Sequence, residues 1–135
     1  SLVRLSFTRG HMANYKSLIG RQWQYGVFDC YSIVRDYYAL LGINLPDYKR
    51  PDDPDTCESI FLKESSKLNF EEVSLDLRKP NDVLIMKIWT KEPMHGAVLL
   101  KDDMILHQKF ESVSCSEYFN HYYRKRTVGC FRYAA

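Results

Sequence analysis

One segment restricts what this chain can fold into more than any other. Over residues 30–41 the apolar side chains Ile33, Val34, Tyr37, Leu40 and Leu41 recur at helical spacing. Asp29, just ahead of them, is a good N-cap, and Gly42 stands where a C′ glycine ends helices. The spacing therefore predicts an amphipathic helix whose first residue is Cys30. Downstream the period changes. Residues 83–89 form a short apolar run after the turn-like Lys79-Pro80-Asn81-Asp82 and read as a buried strand. Residues 95–100 and 104–110 read as two strands joined at Lys101-Asp102-Asp103, and residues 124–133 as a last one. Helices first and an antiparallel sheet second is the pattern of an α+β fold.

The connecting segments are less regular. Residues 13–19 read as a short helix stopped by Gly20, and a loop with two large aromatics, Trp23 and Tyr25, leads to Asp29. Residues 45–55 carry Pro46, Pro51 and Pro54 and read as loop, after which Asp55 or Thr56 is expected to cap a second helix running to about Lys67. Ser114 or Ser116 is expected to cap a further short helix near Tyr118 to His121.

A chain of 135 residues suits one domain with a substantial core. We expect residues 1–12 to be a tag or disordered leader, since Gly10-His11-Met12 resembles a vector-derived join, and residues 13–135 to be the single domain. A net charge of +2 does not argue for nucleic acid. The basic cluster Arg124-Lys125-Arg126 reads as the solvated edge of a strand. No apolar run approaches the ~18 residues of a membrane span, and no secretory signal is evident. Cys30, Cys57, Cys115 and Cys130 form no C-x-x-C pair, which argues against zinc and against a stapled scaffold. Cys57, Cys115 and Cys130 read most simply as small apolar side chains or incidental thiols, and no cofactor is implied.

The position of Cys30 is what suggests chemistry. The thiolate is the nucleophilic form, and a thiol of pKa about 8.5 is mostly protonated at neutral pH. A helix N-terminus and a nearby imidazolium both favour the anion. Two candidate imidazoles, His95 and His107, lie in the expected hairpin. A three-residue loop over 101–103 would set Ala97 opposite His107 and put His95 diagonally from it on the same face, roughly 7–8 Å apart between backbones. A two-residue turn would put them on opposite faces. On a shared face His95 would take the proton of Cys30 and return it to the leaving group, and His107 would orient the His95 ring. Amides at the start of the helix would meet the developing oxyanion, with Tyr25 as an additional donor. The plainer readings are a structural thiol and polar strand histidines, and core or rim packing for Trp23, Tyr25 and Trp89. The ordered combination favours a cysteine hydrolase.

These residues resemble the NlpC family of papain-like cysteine peptidases, and within it a branch found in phage tails. The resemblance rests on residues 20–38 around Phe28-Asp29-Cys30-Tyr31-Ser32, on Gly42-Ile43-Asn44-Leu45-Pro46-Asp47, and on Asn81-Asp82-Val83, where the family has Gly-Asp-Val. His95-Gly96-Ala97-Val98 and Ile105-Leu106-His107-Gln108 complete it, in that order. It implies a papain-like fold with the nucleophile at a helix N-terminus packed on a C-terminal antiparallel sheet. It further implies Cys30 as nucleophile, His95 as base, His107 as orienting residue and Tyr25 in the aromatic segment before the nucleophile. The expected substrates are the stem peptides of bacterial peptidoglycan, and the expected partners other tail tip proteins. The expected location is the virion tail tip, reached through the host cytoplasm during assembly and acting at the wall on infection. A structural tail module with little or no turnover, and a peptidoglycan amidase or thiol transferase using the same nucleophile, are the alternatives.

Overall fold

A computed structural model describes residues 12–134. The expected leader falls outside them except for Met12, which packs against the main core. Among the described residues three α-helices and six strands follow in order. The helices are α1 (Cys30–Leu40), α2 (Ile60–Glu64) and α3 (His121–Arg124). The strands are β1 (Phe70–Glu72), β2 (Val83–Met86), β3 (His95–Leu99), β4 (Met104–Gln108), β5 (Ser114–Tyr118) and β6 (Thr127–Tyr133). The strands form one antiparallel sheet in the order β1-β6-β2-β3-β4-β5, so the chain is α+β.

Helix α1 begins where the sequence places it because Asp29 closes a reciprocal capping box. Its carboxylate accepts from the Ser32 backbone N–H at 3.1 Å, and Ser32 Oγ accepts from the Asp29 N–H at 3.3 Å. Gly42, at φ 84°, ends the helix in the left-handed region. The apolar stripe of α1 lies on one face of the sheet: Ile33, Val34, Tyr37 and Tyr38 join Val83, Ile85, Val98, Leu100 and Leu106 in the larger core cluster. Tyr37 donates to Asn81 Oδ1 at 2.5 Å and Tyr38 to the Asn81 carbonyl, which ties α1 to the approach of β2. Asn81 itself sits at φ 79°, a conformation that suits the glycine it replaces and that asparagine tolerates better than most residues. Leu84, Met86, Ala97, Leu99 and Ile105 point the other way and pack with Phe119 and Tyr123.

Several expected elements differ, among them the last strand, which begins at Thr127 rather than Arg124, and the 104–110 strand, which ends at Gln108. Residues 13–19 form only a 3-10 turn, Tyr15–Leu18, capped by Asn14. The second helix is divided: Asp53 caps a 3-10 turn at Pro54–Thr56, the chain extends, and Ser59 caps the shorter α2. Strand β2 stops at Met86, beside a register irregularity between Ile85 and Met86 against β6, and Trp89 turns to φ 66°. Residues 114–118 are strand β5 rather than the lead-in to a helix; Asn120, not a serine, caps α3. The basic cluster accordingly straddles the end of α3 and the turn before β6.

Candidate active site

The β3–β4 connection decides which side chains can meet. It is the three-residue turn Lys101–Asp103, with Asp102 and Asp103 at φ 60° and 59°. Aspartate is among the few side chains that visit this region readily. The odd loop sets Ala97 opposite His107 and leaves His95 on the same face. The two rings then meet directly: His95 Nε2 lies 2.8 Å from His107 Nδ1. Because one nitrogen of His95 is engaged in this way, its Nδ1 is the atom left for a second partner.

Cys30 approaches from the opposite layer. Its thiol donates to the carbonyl of Met94, the residue before His95, at 3.3 Å. Gly96 faces α1 here; a Cβ there would stand 3.6 Å from Val34 Cγ2 and 3.9 Å from the Cys30 carbonyl, ordinary contact distances. Cys30 and His95 line one narrow slot of about 10 Å3 together with Trp23, Trp89, Gln108 and Phe110. On its other side Cys30 borders an apolar chamber of about 120 Å3 whose walls include Tyr31, Arg50, Phe61, Lys63 and Met94. Cys30 and Met94 thus form the wall common to both.

Burial governs the protonation of this pair. It pushes the Cys30 thiol up to about 12, with the Asp29 carboxylate adding to the effect and a backbone bond from Gly96 opposing it. Burial, reinforced by His107, holds His95 well below the ordinary histidine value. His107 is also held low by burial, though a bond to Glu117 works against that. At rest the thiol is therefore neutral, and so is the imidazole. Trp89 covers it: its ring meets His95 edge-on at 4.7 Å between centroids and is itself 40% exposed.

The remaining polar groups arrange the surroundings. Asp29 is buried, and burial alone would raise its pKa. Bonds from Arg50 (2.9 and 3.0 Å), the Ser32 amide and the Gly26 amide at 2.9 Å together bring it below the ordinary value. Gln108 Nε2 donates to the Arg21 and Ser112 carbonyls at 2.7 and 3.1 Å, while its Oε1, buried in a slot-lining side chain, has no protein partner. Tyr25 is directed elsewhere. Its hydroxyl donates to the Pro51 carbonyl at 2.6 Å and lines an outer depression with Gly26, Asp47 and Asp52. Trp23 and Trp89, by contrast, do border the slot.

Glu117 is a residue the sequence did not single out. Strand β5 pairs with β4 so that Cys115 faces His107 and Glu117 faces Ile105, which puts all four on one side of the sheet. Glu117 Oε2 lies 2.8 Å from His107 Nε2. No local pattern marks it, because its position opposite Ile105 is set by the register of β5 on β4. The donor atoms of His107, Cys115 and Glu117 lie within 4.8 Å of one another, close enough to consider a cation. They are bonded among themselves, however, with Cys115 Sγ 3.4 Å from the carboxylate, and form a closed hydrogen-bonded group. All four cysteines are free thiols. No helix among the described residues is long and apolar enough to cross a membrane.

A helix-borne cysteine set against a histidine-bearing antiparallel sheet defines a papain-like class of protein. Within that class the chain belongs to the NlpC/P60 family, whose family model matches residues 20–132. Among curated relatives, the tail tip assembly protein K of Escherichia phage lambda is 33% identical over 119 residues, covering 87% of this chain. The protein of the same name from Escherichia phage N15 is 28% identical over 121 residues, covering 86%. The chain spans only 60% and 49% of the length of these two relatives. Solved structures agree on the fold. An NLP/P60 family protein from Staphylococcus aureus superposes with a TM-score of 0.63 at 16% identity, covering 88% of this chain and 38% of its own. NlpC2 from Trichomonas vaginalis gives 0.61 at 15% identity, covering 89% and 43%.

Proposed function

We propose that this domain is a cysteine endopeptidase of a phage tail tip that hydrolyses peptide bonds in peptidoglycan stem peptides. The observation that carries the reading is that Cys30 and His95 line one slot while His107 Nδ1 engages His95 Nε2 at 2.8 Å, so that Nδ1 is the ring nitrogen of His95 left to act as base. When a substrate carbonyl reaches Cys30, His95 Nδ1 takes the thiol proton and Sγ bonds to the carbonyl carbon. The amides of Ser32 and Ile33 already donate to Asp29, so those of Cys30 and Tyr31 are the first-turn donors for the oxyanion. Collapse of the intermediate breaks the C–N bond, the amine leaves with the proton held by His95, and water releases the acyl group by the reverse route. Tyr25 serves as a further donor only if it exchanges the Pro51 carbonyl for the oxyanion. Lys49 and Lys63 beside the chamber suit a stem peptide that carries carboxylates.

The relatives' name supports a tail tip location with other tail proteins as partners. Assembly in the host cytoplasm and action at the wall on infection complete the proposal. Cys30→Ala is expected to keep the fold and abolish cleavage of defined muropeptides, with product masses separating peptide-bond from sugar–peptide cleavage. Equal turnover by wild type and variant would end the reading. A structural role in the tail is favoured by one observation, the near closure of the slot over a protonated thiol. Tails built with Cys30→Ala protein that assemble and infect normally would establish that role instead.

A further inference from the structure

The hydrogen bonds of the two histidines do not end at His107. The Glu117 carboxylate accepts and, when ionised, cannot donate, so the 2.8 Å contact requires the proton of His107 to sit on Nε2. A neutral His107 then presents Nδ1 as an acceptor. The 2.8 Å contact with His95 in turn requires His95 to carry its proton on Nε2. That leaves the lone pair of His95 on Nδ1, the state a base needs. Without the carboxylate, the reverse pairing satisfies the His95–His107 contact equally well. Then His107 Nδ1–H would donate to His95 Nε2, and His95 Nδ1 would be protonated and unable to accept from a thiol.

We propose that Glu117 is a positioning residue, the fourth member of a Cys30–His95–His107–Glu117 chain, and that it sets the tautomer of both histidines. The inference rests on the Cys30–His95 reading above. The carboxylate is held for the task. Tyr123 donates to the same Oε2 at 3.2 Å, Cys115 Sγ lies 3.4 Å from it and Lys109 Nζ 3.7 Å. These groups reach it from the residue after β4, from β5 and from α3, while the Trp89 ring covers His107 at 6.4 Å between centroids. Glu117 also supplies a negative charge two hydrogen bonds from His95, where a positive charge must form in a fully enclosed place during proton transfer. A glutamate that merely satisfied a buried imidazole would influence neither the tautomer of His95 nor its basicity.

The test uses protein labelled with 15N in histidine, as wild type, Glu117→Ala, Glu117→Gln and Cys30→Ala. Ring-nitrogen correlation spectra report the tautomers, and muropeptide turnover is followed against pH. Wild type is expected to show both histidines protonated at Nε2. Glu117→Ala is expected to mix the tautomers and lower kcat by roughly 10- to 100-fold, within the ~10²–10⁴ that a positioned base contributes. The glutamine carbonyl still accepts from His107 but carries no charge, so Glu117→Gln is expected to keep the tautomers and shift only the pH profile. Tautomers unchanged in folded Glu117→Ala would overturn the proposal, as would an unchanged kcat and pH profile alongside an inactive Cys30→Ala. Turnover by Cys30→Ala equal to wild type would remove the underlying catalytic reading instead, which the tautomer spectra judge separately.

Discussion

Cys30 stands at a helix start and shares a slot with an imidazole, two features that favour a thiolate, yet its thiol is pushed up to about 12. Burial decides the balance, because moving a full charge into an enclosed slot costs more than a helix end or a neutral ring returns. His95 is depressed by the same burial and is uncharged at neutral pH, so it offers no imidazolium to stabilise the anion. The two groups therefore rest neutral rather than as an ion pair, and the proposed proton transfer would occur only when substrate arrives. Alkylation of Cys30 by iodoacetamide is then expected to rise about tenfold per pH unit from pH 7 to pH 10, following the growing thiolate fraction. Mass spectrometry of the Cys30 peptide checks this. A plateau from pH 5 upward would mean a preformed thiolate–imidazolium pair.

Among the elements, α1 and the β3–β4 hairpin were legible because local physics fixes them. The Asp29 cap, the helical stripe and Gly42 are all short-range signals. The two strands of the hairpin were legible too, but their parity stayed open between a two- and a three-residue turn until the structure gave Lys101–Asp103. Strand β5 was not legible. Ser114–Tyr118 is a polar edge strand with one neighbour, and its extended form comes from β4 and from backbone bonds between Ser114 and Gly20 and Arg21. Glu117 stayed hidden with it, since its role depends on a register that no local pattern supplies. Arg50 was hidden too, reaching from a proline-rich loop to Asp29 across 21 residues. That ion pair has side-chain exposures of only 8% and 3%, so breaking it leaves a buried carboxylate at the start of α1. Arg50→Met is expected to cost about 3–5 kcal/mol in urea unfolding. Adding Asp29→Asn should recover much of the loss. A loss below about 1 kcal/mol in the single variant would show that the pair is dispensable.

For the molecule as a whole, the buried histidines set how stability depends on pH. His95 and His107 both have folded-state pKa values below the ordinary ~6.5, which the unfolded chain regains. As pH falls through that value the unfolded state takes up protons the folded state refuses, so stability present at pH 7 declines from there. Each unit of depression removes about 1.4 kcal/mol once the pH is below the folded value. Asp29, Asp103 and Glu117 are also held low, Asp103 through its bonds from Arg78, but they act later, below the ordinary carboxylate range near 4. The urea midpoint is therefore expected to fall in two stages, one beginning near pH 6.5 and one below about 4. Replacing the pair by His95→Asn and His107→Gln should delete the upper stage and leave the lower one. A wild-type midpoint that stayed flat from pH 7 to pH 4.5 would mean that the two rings accept protons in place. The neutral relay on which the proposed base action of His95 rests would then be ruled out.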